Sequence, residues 1–170
     1  MPASSMPLVA TIAHDGSSNF AVWLKDLNGQ NIDLLVNEIG SYAGTSEISV
    51  ANHDQVKGGA ILVIEADGNW SVDMHPLIDQ PVWTPSAPIS GVGAQVLVVP
   101  GGVNAPTRVS ISSDGSGNFA VWTTSTGGIF PRDLLVNEIG AYNGVHLISK
   151  GTFVVTIQAD PGSNWVITPA

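Results

Sequence analysis

Apolar residues in this chain come in short runs rather than in a helical rhythm. VATIAH (9–14), NFAVWLK (19–25), DLLVNEI (33–39) and AILVIEA (60–66) are rich in Val, Ile, Phe and Trp, and the clusters DGSS, LNGQ and DGNW separate or follow them. Branched and aromatic side chains suit a pleated, half-buried surface, while Asp and Gly supply the local hydrogen bonds and positive φ that tight turns need. No stretch keeps a 3.6-residue period long enough for a helix. With turn signals every 8–12 residues or so, roughly six or seven strands fit into about 75 residues, which predicts a small antiparallel sandwich. Within NFAVW the alternation sets Phe20 and Val22 on one side and Trp23 on the other; Phe119, Val121 and Trp122 repeat it.

The runs occur twice. DLLVNEIGSY (33–42) returns as DLLVNEIGAY (133–142), HDGSSNFAVW (14–23) as SDGSGNFAVW (113–122), and IEADGNW (64–70) as IQADPGSNW (157–165). A spacing near a hundred residues excludes small solenoid units and leaves two tandem domains. The fold class expected is therefore all-β: two tandem antiparallel β-sandwiches, jelly-roll or immunoglobulin-like, related by internal duplication, over 1–75 and 91–170. Between them PLIDQPVWTPSAP (76–88) carries four prolines. Proline fixes φ and removes a donor, so 76–90 reads as a semi-stiff connector.

The copies are unequal at their starts. Copy 2 has an extra apolar run, AQVLVVP (94–100), ahead of its first matched strand, where copy 1 has only Met1 to Pro7. Copy 1 should then expose an unpaired edge, which natural proteins cover or block. Three covers are available: the connector around Val82 and Trp83, the other domain, or a strand from another chain.

Composition narrows the function. Hydrophobic residues make up 44% of the 170, enough for a core, but only 11% are charged, so the surface is solubilised by Ser, Thr, Asn and Gly. That profile suits an extracellular or particle-surface β protein. Net charge is −9, and the five cations, Lys25, Lys57, Arg108, Arg132 and Lys150, are scattered. Nucleic acid and anionic membranes both require clustered basic residues, so neither is an expected partner. There is no cysteine, hence no disulfide, thiolate zinc site or cysteine nucleophile. MPASSMPLVATIAHDG has neither the basic nor the apolar region of a signal peptide, and no run is long enough to span a bilayer.

The combination GSSNFAVW, DLLVNEIGSYAG and EADGNW, in that order and in both copies, resembles a small domain of actinobacterial cell-envelope proteins and lipoproteins and of their phages. The resemblance covers nearly all of both copies. It implies an extracytoplasmic, non-catalytic β-sandwich. The signal peptide and anchoring cysteine of the envelope pattern are missing here, which favours a virion surface.

Candidate chemistry is sparse. In the motif that begins at Asp33 and Asp133, the neighbours Asn37 and Glu38, like Asn137 and Glu138, face opposite sides of a strand; a buried Asn tied to loop backbone is the structural reading and a ligand site the functional one. Gly40 and Tyr42, with Gly140 and Tyr142, read as a corner whose tyrosine returns to the backbone. DGSSN and DGSGN place oxygen-bearing side chains at alternate positions, as calcium loops do, but no bidentate Glu follows, so Asx-type hairpins are expected and no metal. His14, Asp15 and Ser17 are neighbours on one hairpin, whereas a hydrolase triad converges from separate elements. His53 and Asp54 sit in a loop present only in copy 1, and Asp67 and Asp160 sit in turns.

Trp23 and Trp122 are the stronger candidates, as sugar-stacking platforms or as packing surfaces, with Trp83 and the two tyrosines as further interface candidates. Trp70 and Trp165 read as core plugs. The function expected is a structural or interaction protein on a particle or cell surface, such as a capsid-decoration or tail component, homo-oligomeric or part of a larger assembly. A carbohydrate-binding module using the exposed tryptophans is the alternative. No enzyme activity and no cofactor are expected.

Overall fold

A computed structural model describes residues 8–48, 53–56, 58–126 and 132–170. Among these the chain is all-β, in four antiparallel sheets, with one helical turn at His53–Val56 and one 3-10 turn at Leu77–Asp79. It divides into two compact units, 1–79 and 80–170.

Unit 1 contains β1 (Leu8–His14), β2 (Asn19–Lys25), β3 (Asn31–Ile39), β4 (Tyr42–Glu47), β5 (Ile61–Glu65) and β6 (Trp70–Pro76). They form two three-stranded sheets, ordered β4-β1-β6 and β3-β2-β5. Unit 2 contains β7 (Ile89–Val92), β8 (Gln95–Val98), β9 (Thr107–Ser113), β10 (Asn118–Ser125), β11 (Arg132–Ile139), β12 (Tyr142–Ile148), β13 (Thr152–Ala159) and β14 (Asn164–Pro169). Its sheets are ordered β12-β9-β14-β7 and β11-β10-β13-β8. Removing β7 and β8 from these orders leaves the orders of unit 1, strand for strand.

The inner faces of the two sheets of unit 2 share one core. Val109, Ile111, Trp165 and Ile167 come from one sheet, and Leu97, Phe119, Val121, Val155 and Ile157 from the other, in a sandwich-like arrangement. Burying each such side chain contributes roughly 1.5–3 kcal/mol. In unit 1, Ile12, Phe20, Val22 and Leu24 are fully buried, and Trp23 lies on the opposite face of β2, half-buried, as the alternation predicts.

The duplicated DLLVNEIG has a backbone explanation. In unit 1, Val22 pairs with Val36 and Trp23 with Leu34, leaving Leu35 as a bulge; in unit 2, Val121 pairs with Val136 and Trp122 with Leu134, leaving Leu135. The extra residue breaks the two-residue alternation. Leu35 and Val36 are both buried, and Asn37 emerges on the exposed face. Asn137 is exposed too. The buried-Asn reading of this motif is therefore corrected: a bulge shifts the side chain outward. Each motif ends at a glycine with φ near +95°, Gly40 or Gly140, a conformation that carries a penalty for any residue with a Cβ. The glycine amide donates to the preceding hairpin, Gly40 to Ser18 O and Gly140 to Gly117 O, both at 2.8 Å.

The expected connector is largely part of unit 2. Trp83 is 2% exposed and belongs to the unit 2 core. Its amide donates to Val98 O at 2.8 Å, Val98 N donates to Pro81 O at 2.9 Å, and the indole Nε1 donates to Ala87 O at 2.9 Å. Val82 bridges to Val98, so Val82 and Trp83 line a strand of unit 2. Trp83 as an interface candidate is likewise corrected: a fully buried indole offers nothing to a partner.

Copy 2 also carries one more strand than expected. Besides β8, which corresponds to AQVLVVP, ISGV forms β7, and the turn after Val92 carries the chain from one sheet to the other.

Candidate functional site

Three loops meet at one end of each unit, and carboxylates tie them together. In unit 1, Asp15 accepts from the amide of Asn69 (2.7 Å) and from its Nδ2 (3.0 Å), while Asp67 accepts from the amides of Ser17 (3.1 Å) and Ser18 (3.0 Å). The clasp is reciprocal: each loop sends a carboxylate to the other's backbone. Unit 2 keeps half of it, Asp114 accepting from the Asn164 amide (2.7 Å) and Nδ2 (2.8 Å). DGSSN and DGSGN are therefore inter-loop clasps rather than self-contained Asx hairpins. Hydrogen bonds to the ionised form favour it. The Asn69 side chain and amide hold the Asp15 carboxyl below its ordinary value, the Ser17 amide does so for Asp67, and Asn164 for Asp114.

His14 lies within this end of unit 1. Its ring stacks on Phe20 with centroids 4.3 Å apart, Nδ1 is 3.0 Å from Gly40 O, and Nε2 is 3.3 Å from both the Gly68 amide and Asp67 Oδ1. The ring thus bridges the Gly40 carbonyl on one side and the Gly68 amide, which donates to Nε2, on the other. Ser17 joins the clasp through its backbone amide, so His14, Asp15 and Ser17 form loop-closing contacts rather than a nucleophile–base–acid relay. Ser113 replaces His14 in unit 2 and accepts from the Gly115 amide at 3.3 Å. Among the described residues no three His, Cys, Asp or Glu side chains gather as a metal site. The side chains of His53 and Asp54 lie outside the described residues, although their backbone forms the start of the helical turn.

The aromatic candidates divide. Tyr42 is buried; its hydroxyl is pushed up to about 12 by desolvation, against a hydrogen bond with Ser46 that pulls the other way. Tyr142 is half-buried with its hydroxyl against His146 Nε2. Neither presents a free ring. Trp122 is half-buried, its Nε1 donating to Gln158 Oε1 at 3.2 Å, and the Arg132 guanidinium lies 4.5 Å over its ring. That ring face is occupied by a cation–π contact. Trp23, opposite Val63 and Leu34, has Ile32 on its neighbouring strand where unit 2 has Arg132. Asp33 accepts from the amide of Leu34 at 2.9 Å; Asp133 and Glu138 are exposed and Glu38 half-buried.

The largest difference between the units falls on the third pair of tryptophans. Trp165 is 1% exposed; its Nε1 donates to Gly93 O at 3.0 Å, and Gly91 of β7 packs so closely that a Cβ there would overlap the indole. Trp70, at the matched position, is 52% exposed, which corrects its reading as a core plug. Its strand, β6, is an edge, and so is β5. Leu62 and Ile64 of β5 face inward opposite Leu24 and Val22 but are only half-buried, whereas their counterparts Val155 and Ile157 are fully buried beside β8. Among the described residues no strand pairs with the outer side of β5 or β6. The exposure of Trp70 was not legible in the sequence, because its letters match those of Trp165.

Unit 2 also has an open cleft of about 720 Å3 lined by Pro85, Pro100, Asn104, Pro106 and Arg108 among others.

No family model matches this sequence, and no curated protein matches it.

Proposed function

We propose that this chain is a non-catalytic structural or interaction protein of a particle or cell surface, built from two tandem jelly-roll sandwiches that arose by duplication, in which unit 1 makes the contact. The jelly-roll reading rests on eight strands in two four-stranded sheets in unit 2, and on the same orders less two strands in unit 1. One observation carries the function: the edge closed by β7 and β8 in unit 2 has no covering strand among the described residues of unit 1, and Trp70 is exposed beside it. Open edges present unpaired N–H and C=O groups that another strand satisfies at little conformational cost. The extracellular or virion setting is drawn from the sparse charge and from the resemblance to envelope and phage domains, with a homo-oligomer or a larger particle as the assembled form. The carbohydrate reading has weaker support, since Arg132 already lies over the ring of Trp122. Glycan-array binding lost in a Trp23→Ala, Trp122→Ala double variant would reverse that order.

Light scattering at micromolar concentration is expected to show an oligomer, or purification to yield a complex with a particle, and hydrogen exchange is expected to protect the outward-facing amides of β5 and β6 only in the assembled form. A monomer whose β5 and β6 amides are as slow as those of β13 and β14 would overturn the reading.

A further inference from the structure

Unit 2 displays what its own edges accept. Residues 89–92 add to β14, with Gly91 opposite Trp165 and Ile89 opposite Ile167; residues 95–98 add to β13, with Leu97 opposite Val155 and Gln95 opposite Ile157. The turn between them is held by the Gly93 amide donating to Ser163 O at 2.9 Å and by the Trp165 indole donating to Gly93 O at 3.0 Å. The segment ISGVGAQVLV is uncharged, puts glycine where the indole lies, and pairs with both sheets within ten residues.

Among the described residues, no strand occupies the matched positions of unit 1 on that side. Trp70 and Val72 stand where Trp165 and Ile167 stand, Leu62 and Ile64 where Val155 and Ile157 stand, and the β1 partners agree, Trp70 opposite His14 and Trp165 opposite Ser113. We infer that the open edge of unit 1 is a docking site for a strand–turn–strand segment of a partner polypeptide, uncharged, with glycine over Trp70 and a backbone carbonyl for its Nε1. This rests on the contact role proposed for unit 1 and specifies its occupant. A second copy is not the donor of such a segment, because its own 89–98 is fastened into unit 2 by the Trp165 indole and the core residue Leu97. Strand addition of this kind draws affinity from main-chain hydrogen bonds and selectivity from alternate side chains, here a glycine and the inward apolar positions.

The test uses the full chain and a synthetic peptide of residues 88–98, PISGVGAQVLV, with terminal lysines added for solubility. Nitrogen-15 NMR should show saturable shifts in the amides of β5 and β6 and in the Trp70 indole N–H, while β13 and β14 stay unchanged. Trp70→Ala, with the remaining spectrum intact, should weaken binding by about tenfold or more. A peptide carrying Gly91→Val should not bind, because its side chain would meet the indole. Absence of saturable shifts, shifts confined to β13 and β14, or equal binding of the Gly91→Val peptide would each overturn the inference. The two proposals fail separately. An oligomer that neither binds the peptide nor dissociates with it ends the inference and leaves the contact role of unit 1 standing; a monomer that binds the peptide at β5 and β6 ends only the homo-oligomer.

Discussion

Unit 1 and unit 2 spell the same ending, ADGNW against ADPGSNW, and do opposite things with the tryptophan. Trp165 is enclosed by β7, which has no counterpart among the described residues of unit 1; Trp70 is half in solvent. A second exchange adds to the contrast: His14 lies flat on Phe20 on the face where unit 2 has only Ser113. Burial of an edge residue thus belongs to its neighbours rather than to its own letters. The pair of units works as an internal control in which the motif is constant and the edge strand is varied.

The sharpest way to break this comparison is to remove the edge. A fragment starting at Gln80 is expected to fold by itself, whereas one starting at Gly93 loses Trp83 and β7 and should show no cooperative unfolding by circular dichroism in urea. If the shorter fragment melted like the longer one, the assignment of 80–92 to unit 2 would be wrong.

Single substitutions come next. Trp165→Ala removes a fully buried indole and its hydrogen bond and should lower the stability of unit 2 by about 3–5 kcal/mol, while Trp70→Ala should change unit 1 by less than about 1 kcal/mol. Denaturant titrations of the separate units would show it, and equal effects would erase the distinction. Gly91→Val, which pushes a side chain into Trp165, should take about 1–3 kcal/mol from unit 2 and leave unit 1 untouched. A melt of unit 2 unchanged by that variant would mean that β7 yields freely.

The smallest effects follow pH. Carboxyls held below their ordinary value stabilise the fold at pH values above the unfolded-state value, near 4, and that contribution disappears as acid protonates them. Unit 1 has Asp15 and Asp67 in its clasp, and Asp26 in a turn held by the Gln30 amide; unit 2 has Asp114. Below about pH 4 unit 1 should therefore lose more melting temperature than unit 2. At the alkaline end, the buried Tyr42 hydroxyl, raised to about 12, stabilises unit 1 below the ordinary tyrosine value near 10 and ceases to do so as pH climbs from there to about 12. Tyr42→Phe should flatten that alkaline limb.

Much of the architecture was legible in the letters. β1, β2, β3 and β5 fall where alternation and turn residues set them, because a pleated strand and its Asp-Gly loops leave a local signature, whereas β4 and β6 follow turn-like letters and were not legible as strands. The inward side of NFAVW was readable for the same reason. The outward turn of Asn37 was not, since it depends on a bulge that exists only when β3 pairs with β2. Nor was β7, whose two flanking or internal glycines and preceding proline resemble a loop until Trp165 requires a residue without a side chain.

Sequence by itself therefore determined the all-β class and the repeat, both of which rest on periodicity and on matched letters. Tertiary structure decided where the proline-rich stretch belongs, which loops Asp15 and Asp114 clasp, and which tryptophan is enclosed. The loop clasps and the enclosure of Trp165 depend on contacts between residues some fifty or more positions apart, such as Asp15 with Asn69 and Trp165 with Gly93, and the proline-rich stretch is placed by pairing with Val98; no local pattern encodes such neighbours.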